Sequence, residues 1–165
     1  MVDFVSIDTT LNKLDGLYYA SSDTQMNILY SKLSVLELCG WIEISVDTIL
    51  NEYVDSHILN IDNCKKIRKI INNTYGFDYE KHLFPLFSSV IGINNLENIL
   101  DVITPTDLSN LISLTNTYSV IRNKAAHTDT PNGTTRTYNS PSIVLNDYRK
   151  IKGAIKTLED EVQKL

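Results

Sequence analysis

The residues best suited to chemistry concentrate in one short segment, Arg122-Asn123-Lys124-Ala125-Ala126-His127. On a helix, Asn123 and His127 lie four residues apart on one face, so the amide is placed to orient the imidazole. Arg122 is about 140° from His127 around an ideal helix and reaches it only through its long side chain or at a helix end. The two alanines keep the surface low, which lets a bulky substrate approach the backbone.

An imidazole and a guanidinium suit the cleavage of RNA, because RNA carries its own nucleophile beside each phosphate. A neutral histidine removes the 2′-OH proton as general base, and a guanidinium stabilises the charge that develops on the phosphate oxygens. The products are a 2′,3′-cyclic phosphate and a 5′-hydroxyl. This reaction needs no metal and no other cofactor, and the sequence has no convincing metal cluster. His127 and Arg122 are therefore predicted to form a metal-independent endoribonuclease site.

The same segment also has a purely structural interpretation. Histidine, arginine and lysine in the last turn of a helix interact favourably with the helix dipole without any catalysis. The other histidines, His57 and His82, have no His, Cys or acidic pair at ligand spacing and are interpreted as surface or structural residues. The sequence contains no Gly-rich phosphate loop, no His-Glu-x-x-His motif and no Gly-x-Ser-x-Gly elbow.

The elements that position this segment are predicted to be helices. Apolar residues that step by three and four predict a first helix over residues 4–18. Ser22 followed by Gln25 indicates a capping box that opens a second helix, over residues 24–53. That helix is apolar on more than one face, which predicts a central place in a bundle or a contribution to a dimer interface.

Shorter helices are predicted in the middle of the chain. A basic helix follows Asp62, and two weaker helical patches cover residues 79–91 and 95–103. Pro105 then opens a longer helix that runs towards His127.

The last part of the chain begins with a predicted loop over residues 128–139. Ser140 and Pro141 open a final helix whose apolar positions alternate steps of four and three: Val144, Tyr148, Ile151, Ile155, Leu158, Val162 and Leu165. No strand pattern of comparable quality occurs. The predicted fold is therefore an all-α bundle with one long early helix and a long C-terminal helix.

Composition sets further limits. The 165 residues fit a single domain, residues 1–165. The net charge of −5 argues mildly against a nucleic-acid partner, but residues 1–60 carry two lysines against nine acidic residues, and the rest is slightly basic.

Cys39 and Cys64 match no disulfide or metal pattern, and Cys39 is expected to be a buried thiol. Without an 18-residue apolar run or a signal peptide, the sequence predicts a cytoplasmic protein that does not enter the membrane.

The segment 122–127 resembles the Arg-Asn-x-x-x-His signature of HEPN domains. Residues 32–43, with the sequence KLSVLELCGWIE, also resemble the long early helix of the RiboL-PSP-HEPN branch. The predicted order of helices agrees as well, since the signature ends the penultimate long helix. The resemblance therefore extends over essentially the whole chain.

This resemblance implies a HEPN-like homodimer with an endoribonuclease site composed of both subunits around a two-fold axis. It gives His127 the general acid/base role, Arg122 the phosphate-binding role and Asn123 the polar position after the arginine. Across such an axis, Arg122 of one chain can act on the same phosphate as His127 of the other. Members of this family act as toxins in toxin–antitoxin pairs or as anti-phage or stress effectors. The resemblance thus also implies an antitoxin or regulatory partner protein.

Three weaker candidates surround the predicted site. Glu43 is expected to assist from the long helix, whereas Lys124 and the loop residue Arg136 are expected to contact RNA phosphate. For each of the three, a solvent-exposed or salt-bridged role is the alternative. Some HEPN toxins carry a tyrosine two residues after the histidine, which a partner nucleotidyltransferase modifies. Here that position is Asp129, so this mode of control is not expected.

Two other functions stay open at this point. One is a non-catalytic HEPN-like module that binds a nucleic acid, a nucleotide or a partner protein. Such a module would use basic side chains on the third helix or the last helix: Lys65, Lys66, Arg68 and Lys69, or Arg149, Lys150 and Lys152. The other is a structural helical adaptor, in which the segment 122–127 only caps a helix.

Overall fold

The computed structural model describes residues 1–126 and 138–165, and these ranges are all-helical, as the sequence predicts. The described residues form seven α-helices: α1 (Phe4–Ala20), α2 (Thr24–His57), α3 (Ile61–Asn72), α4 (Phe84–Ile91), α5 (Ile93–Val102), α6 (Pro105–Ala126) and α7 (Pro141–Val162). A π-helical turn, Tyr79–Leu83, leads into α4. The long early helix and the long C-terminal helix are confirmed as α2, with 34 residues, and α7, with 22.

The centre of the bundle is the pair α2 and α7. These two helices pack against each other, and both α1 and α6 contact the pair. The heptad-like positions of α7 are buried as predicted, except that Leu165 lies beyond the helix and is 41% exposed. The predicted central place of α2 is also confirmed, since α2 packs against α1, α3, α6 and α7 and buries Val35, Leu38, Ile42, Val46, Ile49, Leu50 and Val54.

The start of α2 differs from the sequence prediction. Asp23, and not Ser22, is the N-cap, since its side chain accepts hydrogen bonds from the N–H groups of Gln25 and Met26. A carboxylate at this position satisfies two of the free N–H groups and also interacts favourably with the helix dipole. The capping-box prediction was therefore wrong by one residue. α1 uses the same device at Asp3, and α3 uses the amide oxygen of Asn60.

An aromatic cluster joins α1 to the central pair. The indole N–H of Trp41 donates to the carbonyl oxygen of Asp3 at 3.0 Å, and the hydroxyl of Tyr148 donates to the carbonyl oxygen of Phe4 at 3.0 Å. The Trp41 ring makes edge-to-face contacts with Phe4 and Tyr148, at centroid distances of 5.8 and 5.1 Å. Such pairs contribute beyond their buried area, so this cluster fixes α1. None of the helices in the described ranges is both long enough and apolar enough to span a membrane.

Buried thiol and phenol groups with raised pKa values, among them Cys39 and Tyr148, predict a loss of stability at alkaline pH. Burial, reinforced by Glu43, raises the pKa of Cys39 from 9.0 to about 12. Burial, reinforced by Asp8 and Asp3, raises the pKa of Tyr148 from 10.0 to about 12. Above the ordinary values the unfolded chain releases protons that the folded chain retains. The free energy of unfolding should therefore fall by about 1.4 kcal/mol per pH unit for each group.

Urea unfolding at a series of values from roughly pH 8 to roughly pH 11 would measure this fall. The Tyr148→Phe variant lacks one of these ionisable groups, so its stability should decline less steeply. A wild-type stability that stays constant over this range would contradict the prediction.

Candidate functional site

The guanidinium of Arg122 lies near the end of α6 and faces α2. Its Nη2 atom is 3.2 Å from Oε2 of Glu43, and its Nη1 atom donates to Oδ1 of Asn123 at 3.4 Å. The side chains of Arg122 and Glu43 are 36% and 27% exposed, so solvent reaches both partners. A pair of this kind adds at most about 1 kcal/mol to stability. Its main consequence is to hold the guanidinium in one place on the surface.

The position of Arg122 is set one turn earlier, by Tyr118. This side chain is fully buried, and its hydroxyl donates to Oδ2 of Asp147 on α7 at 3.0 Å. Lys150 donates to the other oxygen of that carboxylate at 2.8 Å. Burial and the adjacent Asp147 raise the pKa of Tyr118, so the phenol stays neutral and keeps donating. Because Tyr118 and Arg122 are four residues apart, anchoring the first directs the second towards Glu43.

The thiol nearest to this ion pair is not a nucleophile. Cys39 is 1% exposed, and its Sγ atom lies 3.8 Å from the carbonyl oxygen of Tyr118. With a pKa of about 12, the thiol is protonated at neutral pH. A thiolate is the reactive form of cysteine, so Cys39 is a buried core residue, as the sequence predicts.

A cavity of about 180 Å³ opens beside the ion pair. Its polar lining comes from α2, from the end of α3 and the turn that follows, and from α6: Glu43, Asp47, Asn72, Thr74, Tyr75 and Arg122. We call this cavity the α2–α3 pocket. Burial, reinforced by Glu43, raises the pKa of Asp47 above its ordinary value of 3.8. A carboxylate and a guanidinium therefore face one small polar space.

The rim of the α2–α3 pocket depends on a glycine. Gly76 has φ of +119°, a conformation that side-chain-bearing residues rarely adopt. A Cβ atom added there would lie 2.9 Å from the imidazole of His82, which packs against this backbone. Gly76 thus permits the tight turn that places Tyr75, 79% exposed, at the mouth of the pocket.

A second, open groove runs along α3 next to this pocket. Its lining includes Lys66, Lys69 and Asn73, and Thr74 belongs to both the groove and the pocket. Neither lysine makes an ion pair within residues 1–126 and 138–165. Their neighbours on α3 differ, because Lys65 pairs with Asp62 at 3.7 Å and Arg68 pairs with Asp55. The groove therefore presents two ammonium groups beside the pocket.

The structure brings together three of the residues that the sequence singled out, Arg122, Asn123 and Glu43. Lys124 is exposed near the end of α6. His127, Arg136 and Asp129 lie outside the described residues, so the predicted pairing of Asn123 with the imidazole stays a prediction.

Sequence reasoning did not single out the other polar residues of the α2–α3 pocket. A signal for Asp47 was present, because it follows Glu43 by four residues and so shares its helix face. No comparable signal marks Asn72 or Tyr75, since the place of Asn72 depends on how α3 packs on α2 and that of Tyr75 on the turn after α3.

No protein-family model, curated protein or solved structure matches this chain.

Proposed function

We propose that this protein is a metal-independent endoribonuclease of the HEPN type, in which Arg122 binds the scissile phosphate and His127 moves the proton. One observation carries the proposal: Glu43 holds the Arg122 guanidinium beside an open polar pocket, five residues before a histidine. A guanidinium has five N–H donors, so the bonds to Glu43 and Asn123 leave donors for phosphate oxygens.

The reaction balances with groups of the RNA and of this chain alone. His127 takes the proton of the 2′-OH as O2′ attacks phosphorus, and the bond from phosphorus to O5′ breaks. The protonated imidazole then gives this proton to the leaving O5′, which yields a 5′-hydroxyl and a 2′,3′-cyclic phosphate and regenerates neutral His127. Arg122 stabilises the additional charge on the non-bridging oxygens while the bonds change. Asn123, which contacts Arg122, is assigned to orient the imidazole.

The active form is proposed to be a homodimer with a composite site. Support comes from large apolar side chains that α2 leaves exposed, namely Leu29 at 40%, Leu33 at 42% and Ile44 at 67%. Apolar patches of this kind commonly mark protein–protein interfaces. The protein is further proposed to act in the cytoplasm as a toxin or as an anti-phage or stress effector. An antitoxin or regulatory protein would then control it.

The proposal is tested by incubating the purified protein with end-labelled single-stranded RNA in excess EDTA. Cleavage is expected, with 2′,3′-cyclic phosphate ends. The Arg122→Ala variant should lose at least about 100-fold in rate, since it lacks the group that stabilises the transition state. Lys13→Ala removes a cation from an exposed position of α1, to which no role in RNA binding is assigned, and serves as the control. Wild-type protein that leaves RNA intact in EDTA, or an Arg122→Ala variant with the control's rate, would contradict the proposal.

A second candidate function, RNA binding without cleavage, is favoured by the open groove with Lys66 and Lys69. It predicts retention of RNA that weakens steeply with salt, because bound lysines release counterions from the phosphates. Intact RNA recovered from the complex would select this function over the nuclease.

A further inference from the structure

The α2–α3 pocket contains a carboxylate without a partner. Asp47 lines the pocket and is partly buried, yet within the described residues its carboxylate accepts no hydrogen bond and forms no ion pair. Glu43 differs, because it is engaged by Arg122. The raised pKa of Asp47 reflects the same situation, in which burial removes water without supplying a donor. A ligand that brings N–H groups to this carboxylate would supply what the pocket lacks.

The size and walls of the pocket restrict that ligand. A volume of about 180 Å³ is well below the roughly 300–1,000 Å³ of sites for drug-sized molecules. Val46, Ile71 and Leu86 add apolar surface to the polar lining. The exposed ring of Tyr75 lies at the mouth, where it offers a flat aromatic face. Apolar walls, an aromatic face and an acceptor together fit one planar heteroaromatic base.

We propose that the α2–α3 pocket binds one guanine base of the RNA strand, with Asp47 accepting from guanine N1–H and N2–H and Tyr75 stacking on the base. The proposal rests on the proposed function for the identity of the ligand as RNA. It adds a base preference, placed next to the arginine that binds phosphate.

Guanine is selected by the pattern of donors on its Watson–Crick edge. Its N1–H and N2–H groups lie side by side and match the two oxygens of an ionised carboxylate, which only accepts. Adenine and cytosine each place a ring nitrogen acceptor beside their single amino group, and that nitrogen repels a carboxylate. Uracil flanks its one N–H with two carbonyl oxygens. Guanine is therefore the only common base that presents two adjacent donors.

The groove along α3 gives the strand a path away from the pocket. Thr74 lines both spaces, so a strand whose base enters the pocket places its neighbouring phosphates near Lys66 and Lys69. Arg122 also lines the pocket. One lining residue of the base pocket would thus hold the scissile phosphate, and the groove that adjoins the pocket at Thr74 supplies two cations that would hold adjacent phosphates.

The test measures binding of RNA that cannot be cleaved, by fluorescence anisotropy. Fully 2′-O-methylated hexamers have no 2′-OH nucleophile, so binding is read independently of any nuclease activity. A uridine hexamer with one central guanosine should bind wild-type protein about tenfold more tightly than the same hexamer with a central adenosine. Inosine at that position lacks the N2 amino group and should fall between the two. Free GMP should bind at least about tenfold more weakly than the guanosine hexamer, because it does not reach Lys66 and Lys69.

Two variants, each with a control, test whether the pocket is responsible for the guanine preference and for stacking. Asp47→Asn has nearly the same shape but lacks the ionised acceptor, and it should bind the guanosine and adenosine hexamers equally. Asp101→Asn, an exposed position on α5, should behave as wild type. Tyr75→Ala should weaken both hexamers alike by about tenfold through lost stacking, whereas Tyr19→Ala, also exposed, should not.

The outcomes separate this proposal from the nuclease proposal. Equal affinity of wild-type protein for the two hexamers, no binding at all, or a preference that survives Asp47→Asn would overturn the guanine pocket. Free GMP that binds as tightly as the hexamer would contradict an RNA strand as the ligand and indicate a site for a free nucleotide. A guanine preference in a protein that leaves 2′-OH RNA intact would support the pocket and contradict only the nuclease.

Discussion

The His127→Ala variant is expected to cleave RNA about 10²–10⁴-fold more slowly than wild type, because alanine neither takes nor returns the proton of the 2′-OH. The measurement is single-turnover cleavage of end-labelled RNA in EDTA. His57→Ala is the matched control, since His57 is an exposed histidine that stacks on Tyr53 at the end of α2. Equal rates for His127→Ala and wild type would exclude His127 as the group that moves the proton.

Mixing the Arg122→Ala and His127→Ala proteins shows whether each active site contains residues from both chains of a dimer. In a composite site, Arg122→Ala protein still supplies His127 and His127→Ala protein still supplies Arg122. Random exchange makes about half of the dimers mixed, and each mixed dimer has one intact site of two. The mixture should therefore recover about a quarter of the wild-type rate. A mixture that forms mixed dimers and stays inactive would place both residues of each site in one chain.

The helices with one strongly periodic face were predictable from the sequence. In α1 and α7 the spacing of apolar residues alone fixes which side is buried, and burial is the main source of stability for such helices. The start of α2 was harder, because Ser22 and Asp23 are both good N-caps and nothing local decides between them. The structure selects Asp23, whose carboxylate satisfies two N–H groups.

The candidate site was predictable only in part. The segment 122–127 is visible because its residues are consecutive, and helix geometry relates their side chains. The ion pair of Arg122 with Glu43 joins residues 79 positions apart, and it follows from how α6 packs on α2. The place of Tyr75 depends on the positive φ of Gly76, which one glycine in a sequence does not reveal. Tertiary packing therefore decides the pocket, whereas local pattern decides only the motif.

Substitution of Tyr118, the buried residue one turn before Arg122, has the largest expected effect on stability. Tyr118→Ala removes a fully buried aromatic ring between α6 and its neighbours, and it should lower the free energy of unfolding by about 3–5 kcal/mol. Tyr118→Phe keeps the ring but takes the phenolic donor from Asp147, which is only 7% exposed. A buried acceptor that loses its donor costs about 1–3 kcal/mol, so this variant should be intermediate.

Urea unfolding at neutral pH measures both variants, with Tyr19→Phe as the control because that ring is 71% exposed. The comparison separates packing from hydrogen bonding, since only the alanine variant creates a cavity. If Tyr118→Phe remains folded, the ring at position 118 still packs α6 in place, so Arg122, one turn later, keeps its position. Its rate of RNA cleavage should then remain within a few-fold of wild type. If Tyr118→Phe is as stable as wild type, the bond to Asp147 does not anchor α6. If it is folded and inactive, Tyr118 contributes more to the site than the placement of Arg122.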